Sequence, residues 1–179
     1  MNIFALDLDP NLCAAYHCDS HVVKMITEHM QMLNSNAKFL SKVSGKIAWL
    51  NHPCTIWLRE SRENLDWLNK VQIELNLEWQ KRWKHPSNLN HRGYDLWRTL
   101  YDSKNLRNLF PDVPMTRFVQ AMPDECKRDN PIDGYQPHLY FWDIFTFLRN
   151  IALSAIIVFL NYTDDAPYIN KDLLLSLFL

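Results

Sequence analysis

Glycine is nearly missing from this 179-residue chain, which has three. The reversals and bulges of sheet folds lean on glycine, and Val and Thr form no alternating runs, so both features argue against a sheet-rich architecture. An excess of positive charge is also lacking. Lys and Arg number 19 against 20 Asp and Glu, a formal net charge of −1. That balance does not fit a strongly basic, nonspecific nucleic-acid binder, although a local basic patch can still hold phosphates. Paired cysteine motifs are absent too: Cys13, Cys18, Cys54 and Cys126 are irregularly spaced, with no CxxC. They read as reduced thiols of a cytoplasmic protein, without a disulfide framework. The N-terminus has no basic segment leading into an apolar stretch, hence no secretory signal is evident. The apolar run near the C-terminus, Ile151 to Leu160, broken only by Ser154, is too short to span a bilayer, so no membrane association is expected.

Hydrophobic residues make up 47% of the chain and charged residues 22%, which suits a globular domain able to bury a core. Proline and polar caps punctuate it into helices. Asp9-Pro10 reads as cap and first residue of a short helix through Tyr16, because proline's missing N–H is harmless there. Asp19 or Ser20 can cap the next helix, which runs to about Leu40. Ser41 to Gly45 is a connection. Asn51 or His52 caps an element beginning at Pro53, whose helical pattern (Trp57, Leu58, Leu65, Leu68, Val71, Leu75, Trp79) continues to about Trp83. Further helices are expected over Tyr94–Leu109 and Thr116–Met122, then a loop from Pro131 to Pro137. The segment from residue 134 onward has two basic residues, Arg149 and Lys171, against four acidic ones. It reads as a buried apolar C-terminal helix, or as a tail that docks a protein partner. The expectation is one compact all-α domain over residues 1–179.

Several polar groups interrupt this apolar pattern. His17, His21, Lys24, Glu28 and Gln31 recur at helical spacing, forming either a hydrated helix edge or the wall of a site. A carboxylate in that row is subject to desolvation and to nearby cations, which suits Glu28 to proton transfer or to stabilising positive charge. His17 and His21 are four apart, a spacing that can bind a metal, but a helix break near Asp19 would spoil it and no third ligand is anchored. No metal and no cofactor is therefore expected. Lys38, Lys42 and Lys46, and the KRWKH run containing Lys81, Arg82 and Lys84, can hold phosphates or simply complement helix dipoles. His52 and Cys54 form a histidine–cysteine pair with no orienting third group, and Arg117, Gln120 and Asp124 fit a surface loop.

Two segments carry a more specific signal. Asp19-x-His21, followed after six residues by Glu28, resembles the first-helix motif of the pyrimidine-dimer DNA glycosylases, the bacteriophage endonuclease V family. LNKVQIELNLEWQKR, Leu68 to Arg82, is similar to that family's second long helix at Leu68, Lys70, Gln72, Ile73, Glu74, Leu75, Glu78, Lys81 and Arg82. NHPCTIW also looks like a helix opening shared by phage and bacterial proteins near the family. The resemblance covers roughly the first half of the chain. It implies a helical, glycosylase-like part over residues 1–133 and a DNA partner bearing a damaged or modified base. It further implies that an N-terminal amine, at Met1 or Asn2, attacks the sugar C1′. Glu28 would then be the catalytic carboxylate, His21 a DNA-facing histidine, and Lys24, Gln31, Lys38, Lys42, Lys81, Arg82 and Lys84 the DNA contacts.

The sequence also departs from the family pattern. Asn2 stands where the family exposes a small residue, and asparagine is bulky enough to disfavour methionine removal. Thr27 and Gln31 stand where arginines flank the family's glutamate. The basic, aromatic C-terminal tail has no counterpart. These features leave three readings: a glycosylase with strand-cleaving lyase action, the same fold acting on another modified base, nucleotide or nucleoside, and a non-enzymatic helical protein of phage origin.

Overall fold

The computed structural model describes residues 2–103 and 105–135, which belong to one compact unit. Among them there is no strand. Five α-helices follow one another up to residue 101: α1 (Pro10–Ala15), α2 (Asp19–Leu40), α3 (Pro53–Glu60), α4 (Arg62–Arg82) and α5 (Arg92–Tyr101). Two short 3-10 turns, Arg107–Leu109 and Asp124–Cys126, lie in the connection that follows. No helix of the described residues is long and apolar enough to cross a membrane. The expected apolar C-terminal helix falls outside the described residues.

The caps explain most boundaries. Asp9 accepts the N–H groups of Asn11 and Leu12, with Pro10 as the first residue of α1. His52 caps α3 by accepting the Cys54 N–H, and Pro53 follows it. The cap of α2 differs from expectation. Cys18 takes the cap position without a side-chain bond to the helix's backbone N–H groups, and Asp19 lies inside the helix with its carboxylate on Arg82, 3.0 Å away.

The pattern beginning at Pro53 is two helices, not one. Ser61 is extended (φ −149°, ψ 143°), and its hydroxyl accepts the Glu63 N–H while donating to Val113 O at 2.6 Å. A serine that caps the following helix and has a tertiary acceptor outweighs continued helical propensity. The helix expected over Tyr94–Leu109 starts earlier, at Arg92, and stops at Tyr101. Its remainder is irregular, ending in the turn at Arg107–Leu109. That break lets Arg107 reach the Asp66 carboxylate on α4, at 2.9 Å through Nε.

Residues 116–122 are not helical. The backbone there finds partners outside its own segment: Thr116 N–H donates to Asn64 Oδ1 (3.0 Å), Val119 O accepts the Tyr135 hydroxyl (2.7 Å) and Ala121 O accepts Asn2 Nδ2 (3.1 Å). Once donors and acceptors are satisfied this way, a helix has no hydrogen-bonding advantage. Residues 131–135, expected as loop, are helical, with Ile132 N–H on Asn130 Oδ1.

The core lies between α2 and α4. Val22, Met25, Ile26, Met32 and Leu33 of α2 are buried, as are Leu65, Leu68, Val71 and Leu75 of α4. Each such side chain contributes roughly 1.5–3 kcal/mol on burial. A second cluster packs Trp57, Trp67 and Phe118 in edge-on and tilted contacts, with ring centroids 4.6 to 6.1 Å apart. Asn64, Asn69, Gln72, Asn76 and Gln80 form a buried amide row along α4. Gln72 bridges the long helices, donating to Ile26 O (2.9 Å) and pairing with His29 Nδ1 (3.1 Å).

Candidate active site

The chain enters antiparallel to α2, and that course brings its beginning to Glu28. The main-chain N–H of Asn2 donates to Glu28 Oε2 at 2.7 Å, in a setting where the Glu28 side chain is only 12% exposed. Lys24, one turn earlier and well exposed, places its ammonium 3.7 Å from the other carboxylate oxygen. The i, i+4 order of these two explains the contact.

Asn2 is gripped by its side chain. Its Nδ2 donates to Ala121 O, and its Oδ1 accepts the Ile3 N–H at 2.8 Å. The same oxygen receives the Cys54 thiol at 3.4 Å, and the Tyr135 hydroxyl oxygen, whose proton goes to Val119 O, lies 3.4 Å from it. Four chain segments thus fix one residue, and with it the direction of the residue-2 nitrogen. Ala121, Tyr135 and the Cys54 contact escape sequence reasoning because they pair positions up to 133 residues apart. No local periodicity carries that signal.

His21 is buried and stacks on Phe4, centroids 4.8 Å apart and planes inclined by 29°. Phe4 also meets Tyr135 edge-on at 5.6 Å, so the ring wall behind Asn2 is continuous. His17 lies between α1 and α2 with Nδ1 on Cys13 O at 2.7 Å, and burial pushes its pKa down to about 4. Among the described residues no group of three or more potential ligands could hold a metal.

The His52–Cys54 pair is a capping arrangement rather than a nucleophilic one. His52 Nδ1 faces the Cys54 main-chain N–H, not the thiol. Burial raises the Cys54 pKa to about 12, so the thiolate is scarcely formed at neutral pH. Desolvation lowers the pKa of His52.

The cations expected to meet DNA occupy different situations. Gln31, Lys38 and Lys42 are exposed along or just beyond the C-terminal half of α2. Lys42 and Lys84 both have positive φ (54° each), where Val43 N–H returns to Lys38 O and His85 N–H to Gln80 O, closing α2 and α4 as left-handed caps. Lys81 pairs with Glu78 at 3.1 Å. Arg82 is committed inside the protein: its guanidinium binds Glu78, Asp19 and the carbonyls of Ala15 and His17 at 2.6 to 3.0 Å. It clamps α4 to the α1–α2 junction. Met1 lies outside the described residues. On the other side of α3, Ile56, Trp57, Glu60, Arg117 and Phe118 line an open cleft of about 370 Å³.

Among the described residues the fold is all-helical and a carboxylate is held against the second residue's nitrogen, an arrangement consistent with the glycosylase-like part that the sequence resemblance implies. Comparison with known families agrees. A family model described as pyrimidine dimer DNA glycosylase matches residues 1–92, and the chain belongs to that family. At the level of the family, the activity is that of a DNA glycosylase and the substrate is DNA. No match is found among curated proteins or among solved structures.

Proposed function

We propose that the chain is a DNA base-excision enzyme in which the residue-2 nitrogen, freed by removal of Met1, is the nucleophile and Glu28 the catalytic carboxylate. The observation that carries this reading is the 2.7 Å contact between Asn2 N and Glu28 Oε2. While Met1 is retained, that nitrogen is an amide and has no nucleophilic lone pair. Once methionine is removed it becomes an α-amine, whose ordinary pKa of about 7.7–8.0 leaves a usable neutral fraction near neutrality. The Met1 amine, if kept, would lie one residue away from the atom held at the carboxylate.

The chemistry then follows in order. The amine lone pair forms a bond to C1′ of the target nucleotide, and the base departs with the electrons of the glycosidic bond. Glu28, beside the reacting nitrogen, stabilises the positive charge that builds on the sugar. Loss of a proton from nitrogen and opening of the sugar ring give an imine. Its acidified C2′ proton allows elimination of the 3′ phosphate and strand cleavage. His21, behind Phe4, acts as a wall of the site. Lys24, Gln31, Lys38, Lys42, Lys81 and Lys84 supply phosphate contacts, whereas Arg82 acts by holding the frame.

Borohydride trapping on a duplex with one abasic site tests this reading. The wild-type protein is expected to form a covalent adduct at Asn2, and mass analysis of the mature protein is expected to show Met1 absent. On a second duplex that still carries a damaged base, Glu28→Gln should lower base release by two to four orders of magnitude, the range for removal of a placed acid–base or electrostatic group. An adduct at a lysine, or undiminished base release by Glu28→Gln, would overturn the assignment.

Thr27 and Gln31, uncharged beside Glu28, favour a second substrate reading, a modified base rather than a photodimer. Comparing release from ultraviolet-damaged and base-modified duplexes separates the two.

A further inference from the structure

We infer that Trp49, on the loop joining α2 to α3, is a preorganised stacking residue that enters DNA beside the Glu28 site. The inference rests on the reading that this site acts on DNA. Trp49 is 61% exposed and has φ of +56°. Lys42 and Lys84 share that backbone region because they close helices, but Trp49 ends no helix. A bulky aromatic residue in the left-handed region is uncommon, and it persists only where the surroundings hold it.

The surroundings do hold it. The carbonyl before Trp49, that of Ala48, accepts the Ser35 hydroxyl at 2.7 Å, and the carbonyl after it, that of Leu50, accepts Arg59 Nη1 at 2.7 Å. Its own carbonyl accepts the His52 N–H at 3.0 Å. The Arg59 guanidinium is itself seated over the Phe39 ring, 5.0 Å from its centroid. The backbone is therefore pinned on both sides of an indole that stands in solvent. An incidental exposed tryptophan does not need that fixation.

Charge indicates the partner. Between Glu28 and Glu60 the sequence has no Asp or Glu, while it has Lys38, Lys42, Lys46 and Arg59. The three lysines are exposed, in a chain whose formal charge is −1 overall. A cationic loop presenting one fixed aromatic ring suits phosphates flanking an opened base step, since every base offers a face to stack on. Position agrees as well. Ser35, which anchors the loop, is roughly 10 Å along α2 from Glu28, about three base-pair steps of DNA. The loop then runs into His52 and Cys54, the latter on Asn2.

The test is binding of the full chain to a labelled duplex with a single abasic site, followed by fluorescence anisotropy over a range of salt. Trp49→Ala is expected to weaken binding about tenfold with an unchanged salt dependence, and Trp49→Phe to remain within about threefold of wild type. Lys42→Ala should instead lower the salt slope by about one. Trp49→Gly should weaken binding while raising Tm, since glycine adopts positive φ freely. Wild type that is trapped by borohydride while Trp49→Ala binds within twofold of it would overturn the role of Trp49 and leave the active-site reading intact. Wild type that neither binds the duplex nor is trapped would overturn both.

Discussion

Acid should destabilise this protein well before its carboxylates titrate, and the cause is two buried histidines. His29 pairs one ring nitrogen with Gln72 Oε1, and His17 pairs one with Cys13 O. Both partners are acceptors, so these nitrogens carry the proton and each Nε2 is the bare position. Those two Nε2 atoms are buried with no hydrogen-bond partner among the described residues. A second proton would place a cation in that apolar setting, and burial accordingly lowers the pKa to about 4 at His17 and about 3 at His29. In the unfolded chain both take up a proton near pH 6.5, so unfolding binds protons below that value. Stability is complete above it and falls as pH drops towards the native values. At about 1.4 kcal/mol per pH unit per group, the two together remove roughly 3–4 kcal/mol between about pH 7 and about pH 5. His52 and His91, also lowered by burial, add to the loss with the same sign. Glu78 and Asp66, held low by their arginine partners, weaken the fold only at lower pH. Urea unfolding across this pH range measures the effect. His29→Leu should flatten the pH dependence by about one proton, whatever it does to stability at neutrality. A flat wild-type profile, or an unchanged slope in His29→Leu, would refute the reasoning.

Asn64→Ala should cost about 3 kcal/mol, because Asn64 makes hydrogen bonds to Trp57 O, Thr116 Oγ1 and the Thr116 N–H at about 1 kcal/mol each. Calorimetry is expected to show Tm lower by roughly 6–12 °C, and a shift below a degree or two would mean the 113–116 segment does not depend on this amide. Arg82→Ala should lower stability by roughly 2–4 kcal/mol, by leaving the half-buried Glu78 carboxylate with Lys81 alone and the Ala15 and His17 carbonyls without their donor. The salt slope of DNA binding should not change in that variant; a slope reduced by one would make Arg82 a phosphate contact instead.

The sequence was most informative where structure is local. Caps such as Asp9-Pro10 and His52-Pro53 act within a turn of themselves, and the α2 pattern delivered its C-terminal boundary at Leu40. The break at Ser61 was hidden because apolar spacing continues through it, and only Val113 O, 52 residues away, makes the extended serine worthwhile. The 116–122 segment has helix-compatible residues, but its hydrogen-bond partners come from Asn2, Asn64 and Tyr135. Glu28 was legible as part of a polar row. That Asn2 N sits on it, and that Arg82 turns inward, depend on how α1, α2 and α4 meet.

The family match ends at residue 92, yet Asn2 is held partly by residues beyond it. Ala121 O accepts from its carboxamide, and the Tyr135 hydroxyl, fixed by donating to Val119 O, stands 3.4 Å from its oxygen. Gly134 is packed tightly enough that a Cβ there would stand 2.5 Å from Gln120 Oε1. This returning segment therefore has a geometric consequence at the carboxylate: it sets which way the second residue faces. Asparagine, bulky as a second residue, offers in exchange one donor and one acceptor that a smaller residue lacks, and the surrounding groups satisfy both. The side chain that disfavours methionine removal is the one that aims the nitrogen at Glu28.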